Sequence, residues 1–115
     1  LEANTFFNSQ KYCEGAEKCS IAYTKLTRKG NQAKNTKADM AFKTAECYRL
    51  TDHFLEANEW YDRALLLDYQ DVNPEIFYYN GEMLRMMGEF EKAQKKYQVK
   101  KKYYLLMNNN IKLIF

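Results

Sequence analysis

The side chains best suited to acid–base chemistry in this chain form a repeated pair. Glu46 and Arg49 stand three residues apart, and the same pair returns 36 residues later as Glu82 and Arg85. At this spacing a carboxylate and a guanidinium share one helix face, where such a pair stabilises the helix by about 0.2–0.5 kcal/mol. The pattern therefore has two interpretations, internal stabilisation of a helix or a line of charges that contacts a ligand.

The remaining polar residues do not predict catalysis or metal binding. His53 is the only histidine, so no His-based metal cluster, catalytic dyad or catalytic triad can form. The four glycines are scattered, and none belongs to a phosphate-binding loop. Glu56, Glu59 and Asp62 stand beside Arg63, as on a solvated helix face. We therefore expect a protein that is not an enzyme and has no cofactor, no metal ion and no small-molecule substrate.

The three cysteines have neither metal-site nor redox-site spacing. Cys13 and Cys19 are six residues apart, which places them on different faces of one helix and argues against a local disulfide. We expect all three to act as small buried apolar side chains. The alternative is a disulfide from Cys47 to either Cys13 or Cys19.

A spacing of small and aromatic residues recurs along the chain and predicts the helices that carry these polar residues. The middle copy consists of Ala45, Tyr48, Phe54, Ala57, Tyr61 and Ala64, and the last copy of Gly81, Leu84, Phe90, Ala93 and Tyr97. A fainter first copy, shifted by 42 residues, consists of Ala3, Phe6, Tyr12, Gly15, Cys19 and Ala22. A period of this length is typical of a solenoid, in which each unit packs on its neighbours.

The repeat predicts an all-α protein with one domain. Apolar side chains at helical spacing predict helices over 38–50 and 53–67, and residues 51–53 and 87–89 are expected to be tight turns. Nothing in residues 1–97 favours strands. The expected division is 1–103 for the repeats, with hairpins at about 1–26, 38–70 and 74–103, and 104–115 for a tail or the start of a further element.

The net charge of +3 is distributed unevenly along the chain. Residues 27–37 and 98–115 each hold four Lys or Arg and no acid, which leaves −5 for the rest. A nucleic-acid binder is expected to align its cations along one helix face, so nucleic acid is not the favoured partner. We expect 27–37 to be a solvated connector, with docking of an acidic partner or an anionic surface as the alternative. The Lys and Tyr residues interleaved over 95–104 keep nucleic-acid binding as an alternative.

The recurring spacing resembles the tetratricopeptide repeat, which pairs a small residue with an aromatic in its first helix and has Ala-x3-aromatic in its second. Ala57 to Tyr61 and Ala93 to Tyr97 carry the second feature, although Tyr69 stands where the family has proline. The resemblance covers residues 1 to about 103. It implies a right-handed superhelical solenoid of about three hairpins that serves as a protein–protein interaction scaffold.

In this family the first helices of the hairpins line a concave groove, and the resemblance places partner contacts there. The groove positions are Phe42, Glu46, Arg49, Leu50, Tyr78, Tyr79, Glu82, Arg85 and Met86, with Asn4, Phe7 and Asn8 from the first hairpin. Family members that clamp a terminal carboxylate have Lys and Asn where this chain has Phe42 and Glu46. A clamp for a peptide terminus is therefore not expected.

Residues 3–12, 37–49 and 79–88 also look like the N-terminal repeat domain of OmpA-type envelope proteins that accompany the type IX secretion and gliding machinery. This resemblance implies an adaptor domain of a periplasmic, outer-membrane-associated protein, with envelope components of the secretion complex as partners. A structural spacer between other domains is the alternative.

The apolar residues within 103–107 and 111–115 are too few for a membrane span. We expect a further repeat, another domain or a partner chain to cover them.

Overall fold

The computed structural model describes the backbone of residues 2–25 and 31–109 and the side chains of residues 14–25 and 33–108. Five α-helices follow one another: α1 (Glu2–Lys25), α2 (Asn31–Leu50), α3 (Phe54–Leu66), α4 (Ile76–Met86) and α5 (Phe90–Asn109). A short 3₁₀ turn at Tyr69–Asp71 lies between α3 and α4. No strand occurs in the described backbone. The predicted all-α class is therefore confirmed.

Helices α2 and α3 form one hairpin, and α4 and α5 form a second. The connections lie at 51–53 and 87–89, where the sequence predicts turns. Each connection contains one residue with a positive φ, Asp52 at 62° and Gly88 at 81°. Glycine and aspartate are among the residues that adopt this left-handed conformation most readily. These two residues therefore end α2 and α4 at equivalent points of the repeat.

The expected first hairpin at 1–26 is not formed, because α1 is one unbroken helix. The fainter repeat copy would require a turn near residues 9–11. Gln10 occupies the position that Asp52 and Gly88 occupy in the other copies, and glutamine favours a helix. The described chain therefore consists of two hairpins preceded by a single helix that packs against α2.

The basic segment 27–37 is also different from the expected connector. Helix α2 begins at Asn31 instead of 38, so residues 31–37 are helical, and residues 26–30 lie outside the described part. Lys34 Nζ lies 2.5 Å from Asp68 Oδ2, and Lys37 Nζ lies 4.6 Å from the centroid of the Tyr23 ring. Two of the four cations in this segment thus contact other parts of the same chain.

The core lies where α3 packs between α2 and α4. Ala45, Ala57, Tyr61, Ala64 and Ile76 are fully buried there. Alanines at these positions let the helix backbones approach closely, and the Tyr61 ring fills the space beside them. Helix α5 continues past the expected repeat end at 103 to Asn109, and residues 110–115 lie outside the described part. No helix of the described backbone is long and apolar enough to cross a membrane.

Candidate functional site

The Glu–Arg pair of α2 belongs to a three-residue network with a tyrosine from α3. Arg49 donates from Nη2 to Glu46 Oε2 at 2.7 Å and from Nε to Glu46 Oε1 at 3.1 Å. The Tyr61 hydroxyl donates to the same Glu46 Oε1, and Arg49 Nε lies 3.1 Å from the Tyr61 oxygen. Burial, followed by the bond to Glu46, raises the pKa of Tyr61 well above its ordinary value. The network therefore joins α2 to α3, and the Tyr61 hydroxyl keeps its proton at neutral pH.

The second hairpin repeats this network at an offset of 36 residues. Arg85 donates to the two oxygens of Glu82 at 2.9 and 3.2 Å, and the Tyr97 hydroxyl donates to Glu82 Oε1. The bond from Arg85, followed by the bond from Tyr97, lowers the pKa of the Glu82 carboxyl. Each Glu–Arg pair is thus hydrogen-bonded to a tyrosine of the second helix of its own hairpin.

Tyr79 of α4 lies over the first network and connects the two hairpins. Its ring centroid lies 4.6 Å from the Arg49 guanidinium and 6.2 Å from the Tyr61 ring, which it stacks at 18°. Phe42 lies 6.4 Å from Tyr79 and stacks on Tyr69 at 4.4 Å. Four predicted groove residues, Phe42, Glu46, Arg49 and Tyr79, therefore make contacts within the chain.

A hollow of about 290 Å³ opens between the turn after α2 and the face of α4. We name it the hairpin hollow, and its lining residues are Arg49, Asp52, Phe54, Tyr78, Tyr79, Glu82, Met83 and Met86. Five of the nine predicted groove residues line it, namely Arg49, Tyr78, Tyr79, Glu82 and Met86. Phe42, Glu46, Leu50 and Arg85 do not. The structure thus brings together residues from both hairpins that are up to 37 positions apart, from Arg49 to Met86.

The lining of the hairpin hollow combines apolar and charged side chains. Tyr78 and Met86 are 40% and 50% exposed, and Leu50 is exposed at the end of α2. Asp52, Phe54 and Met83 also line the hollow and were missing from the sequence prediction. Asp52 could have been found from its place in the predicted turn, whereas the repeat pattern assigns Phe54 to the core. The surface offers ring and thioether contacts beside fixed hydrogen-bond acceptors.

A second hollow, of about 410 Å³, lies between α3 and α5 and is rich in lysine. It is lined by Asn58, Asp62, Leu84, Lys92, Lys95, Lys96 and Val99. The interleaved lysines over 95–104 were its signal in the sequence. The pKa of Asp62 is raised, because the effect of burial exceeds the opposing effect of the Lys96 charge. This hollow therefore has mixed charge, with one carboxylate among three ammonium groups.

Among the described side chains, no three His, Cys, Asp or Glu residues lie close enough together to hold a metal ion. Neither Cys19 nor Cys47 belongs to a disulfide within the described part, and the side chain of Cys13 lies outside it.

No protein-family model matches this chain, and no curated protein or solved structure matches it either.

Proposed function

We propose that the chain is a non-catalytic protein–protein interaction scaffold, built as a right-handed superhelical solenoid of the tetratricopeptide type. The observation that carries this proposal is the hairpin hollow, where five of the groove residues implied by the tetratricopeptide resemblance come together. Aromatic residues, Met and Arg are the side chains enriched at protein interfaces. The exposed Tyr78 and Met86 beside Arg49 have this composition.

The size of the hairpin hollow suits a side chain of a protein partner. Its volume of about 290 Å³ is at the lower limit of the roughly 300–1,000 Å³ that small-molecule pockets have. A hollow of this size accepts one or two side chains of a larger partner. Met86, which lines the hollow and is 50% exposed, then adds an apolar contact to the partner.

The finer proposal is an adaptor domain of a periplasmic, outer-membrane-associated protein in a type IX secretion-like complex. It is supported by the resemblance of residues 3–12, 37–49 and 79–88 to the repeat domain of such envelope proteins. The partners would then be envelope components of that complex, bound at the hairpin hollow.

Site-specific photo-crosslinking in cells tests the scaffold proposal. A benzophenone amino acid replaces Met86 at the hollow, and the control replaces Leu55, which is 57% exposed and lies outside the hollow. We expect Met86 to crosslink to a separate envelope protein, and we expect Tyr78→Ala to remove that product. Crosslinks confined to the chain's own polypeptide would instead identify a structural spacer, and equal products from Leu55 would remove the hollow as the binding surface.

A second candidate function, binding of nucleic acid or another anionic surface, is favoured by the three lysines of the hollow beside α5. Phosphate contacts release counterions, so such binding weakens steeply as salt rises. A titration with a labelled single-stranded oligonucleotide between roughly 50 and 200 mM salt measures this dependence. No binding at the lowest salt would exclude this function.

A further inference from the structure

Three residues of the first hairpin lie around the Tyr79 ring, and all three have a counterpart 36 residues further along the chain. Tyr79 contacts Phe42, Arg49 and Tyr61, which we name the inner socket. The counterparts are Tyr78, Arg85 and Tyr97, which we name the outer socket. An aromatic ring of α4 thus fills the inner socket, and the outer socket repeats its residue types on the next hairpin.

The two sockets have similar geometry. Phe42 and Tyr61 have ring centroids 5.9 Å apart at an interplanar angle of 56°. Tyr78 and Tyr97 are 6.1 Å apart at 39°. In each socket the arginine is held by a glutamate three residues before it on the same helix. The hydrogen-bond networks therefore position Arg85 for an aromatic ring as they position Arg49.

The two sockets differ in their cover. The Arg49 side chain is 27% exposed beneath Tyr79, whereas the Arg85 side chain is 49% exposed. Tyr61 is fully buried, but Tyr97 is only half-buried. A hollow of about 440 Å³ adjoins the outer socket and is lined by Tyr78, Tyr97, Lys100, Lys101, Tyr104, Leu105 and Asn108. The outer socket is thus more exposed than the inner socket.

Polar groups beside the sockets repeat as well. The Asn80 amide, one residue after Tyr79, donates to Asn58 Oδ1 at 2.6 Å and reaches Asp62 Oδ1 at 3.3 Å. The counterparts of these two acceptors on α5 are Gln94 and Gln98, and both are exposed. A helix on the outer face can therefore make the same polar contact with a side chain next to its aromatic residue.

Charge specifies the occupant further. Lys100 occupies the position that corresponds to the buried Ala64, and Lys101 lies next to it in the wall of the adjoining hollow. Lys100 already pairs with Glu75 at 3.2 Å. A helix that lies on α5 as α4 lies on α3 places its first turn near these lysines. Acidic residues are favourable in a first turn, both for the helix dipole and for the lysines.

We propose that the outer socket binds an aromatic side chain from an α-helix of a partner protein. The helix carries Asp or Glu in its first turn and Tyr or Phe one turn later, and its ring lies over Arg85 between Tyr78 and Tyr97. This inference rests on the proposed scaffold function and names the chemistry of its partner. Helix α4 is the natural template for the partner, because its Tyr79 ring fills the inner socket and Glu75 stands at the cap position directly before its first turn.

A peptide with the sequence of residues 74–87, held helical by a side-chain lactam, is the probe. We expect saturable binding in an ¹⁵N NMR titration, with the largest shifts at Arg85, Tyr97 and Gln98. A peptide with Tyr79→Ala should bind at least about tenfold more weakly. Arg85→Met in the protein should weaken binding about twofold to fivefold. The matched control is Arg63→Met, which removes a guanidinium 4.3 Å from the Trp60 ring on another surface and should leave peptide binding unchanged.

Absence of saturable binding, or equal binding of the Tyr79→Ala peptide, would overturn the inference. Sedimentation equilibrium tests whether the occupant is a second copy of this chain. Self-association that Arg85→Met abolishes would assign the outer socket to that copy instead of a partner helix. The crosslinking experiment at Met86 reports on the hairpin hollow, which Arg85 does not line. Tyr78 belongs to both sites, so Arg85→Met and not Tyr78→Ala separates the socket from the hollow. Partner crosslinks at Met86 without peptide binding would leave the scaffold function in place and remove only the socket.

Discussion

Replacement of Gly81 by alanine tests how closely α4 and α5 approach. A Cβ atom at this position would lie 2.7 Å from Tyr97 Cε1 and 3.1 and 3.2 Å from two other atoms of the same ring. The aromatic ring is rigid, and its hydroxyl donates a hydrogen bond to Glu82. The Tyr97 ring must therefore shift as a whole, which disturbs the network and the outer socket.

The size of the effect follows from three opposing contributions. Alanine gains about 1 kcal/mol over glycine in a helix interior. Overpacking of a well-filled contact costs about 1–3 kcal/mol, and loss of the partly exposed bond from Tyr97 to Glu82 costs about 1 kcal/mol. We therefore expect Gly81→Ala to lower the free energy of unfolding by about 1–3 kcal/mol, which is roughly 4–12 °C in Tm for a domain of this size.

Urea unfolding followed by far-UV circular dichroism measures this change, and a double-mutant cycle isolates its cause. In a Tyr97→Ala background the clash is absent, so Gly81→Ala should stabilise the chain by about 1 kcal/mol. The control is Gly15→Ala, where a Cβ would meet only Cys47 Sγ, at 3.2 Å, and the change should be smaller. An equal loss of stability from Gly81→Ala in both backgrounds would refute the explanation.

Two further predictions concern the turn after α4 and the end of α5. Gly88 has φ at 81°, and a Cβ added there would meet no atom within 4 Å, so Gly88→Ala should cost about 1–2 kcal/mol from backbone strain alone. Gly88→Asn should cost less, and equal losses in urea unfolding would contradict this. Burial and the bond to Asp71 raise the pKa of Tyr103 from 10.0 to about 12. Its contribution to stability is complete below pH 10 and disappears as the pH rises to about 12, so Tyr103→Phe should flatten the loss of stability in this range, and an unchanged profile would contradict it.

The hairpins could be predicted from the sequence because their signals are local. Apolar spacing of about 3.6 residues identifies a helix without knowledge of its partner, and Gly88 or Asp52 ends a helix through its own backbone preference. The first hairpin was predicted wrongly for a related reason. Its small and aromatic residues follow the repeat, but Gln10 provides no signal to end the helix, and α1 continues to Lys25. Side-chain spacing alone therefore does not establish a turn.

The candidate site could be predicted only in part. The Glu–Arg pairs were evident because their members are one helical turn apart, but Tyr61 and Tyr97 join them from another helix, 15 residues beyond each glutamate. The repeat assigned both tyrosines to packing and contained no indication of the hydrogen bonds. The sequence predicted Arg49 and Arg85 alike as groove residues. In the structure the Tyr79 ring lies over Arg49 and not over Arg85.

By itself, the sequence determined the helical class, the 36-residue repeat, and the positions of the two turns that close the described hairpins, since each depends on residues close together along the chain. The tertiary structure decided which repeated residues are covered and which are accessible. Helix α4 packs against the first hairpin and fills the inner socket with Tyr79, while the same three positions on the second hairpin lie at the exposed face of α4 and α5. Equivalent local patterns thus differ in accessibility because burial depends on which helix packs against them.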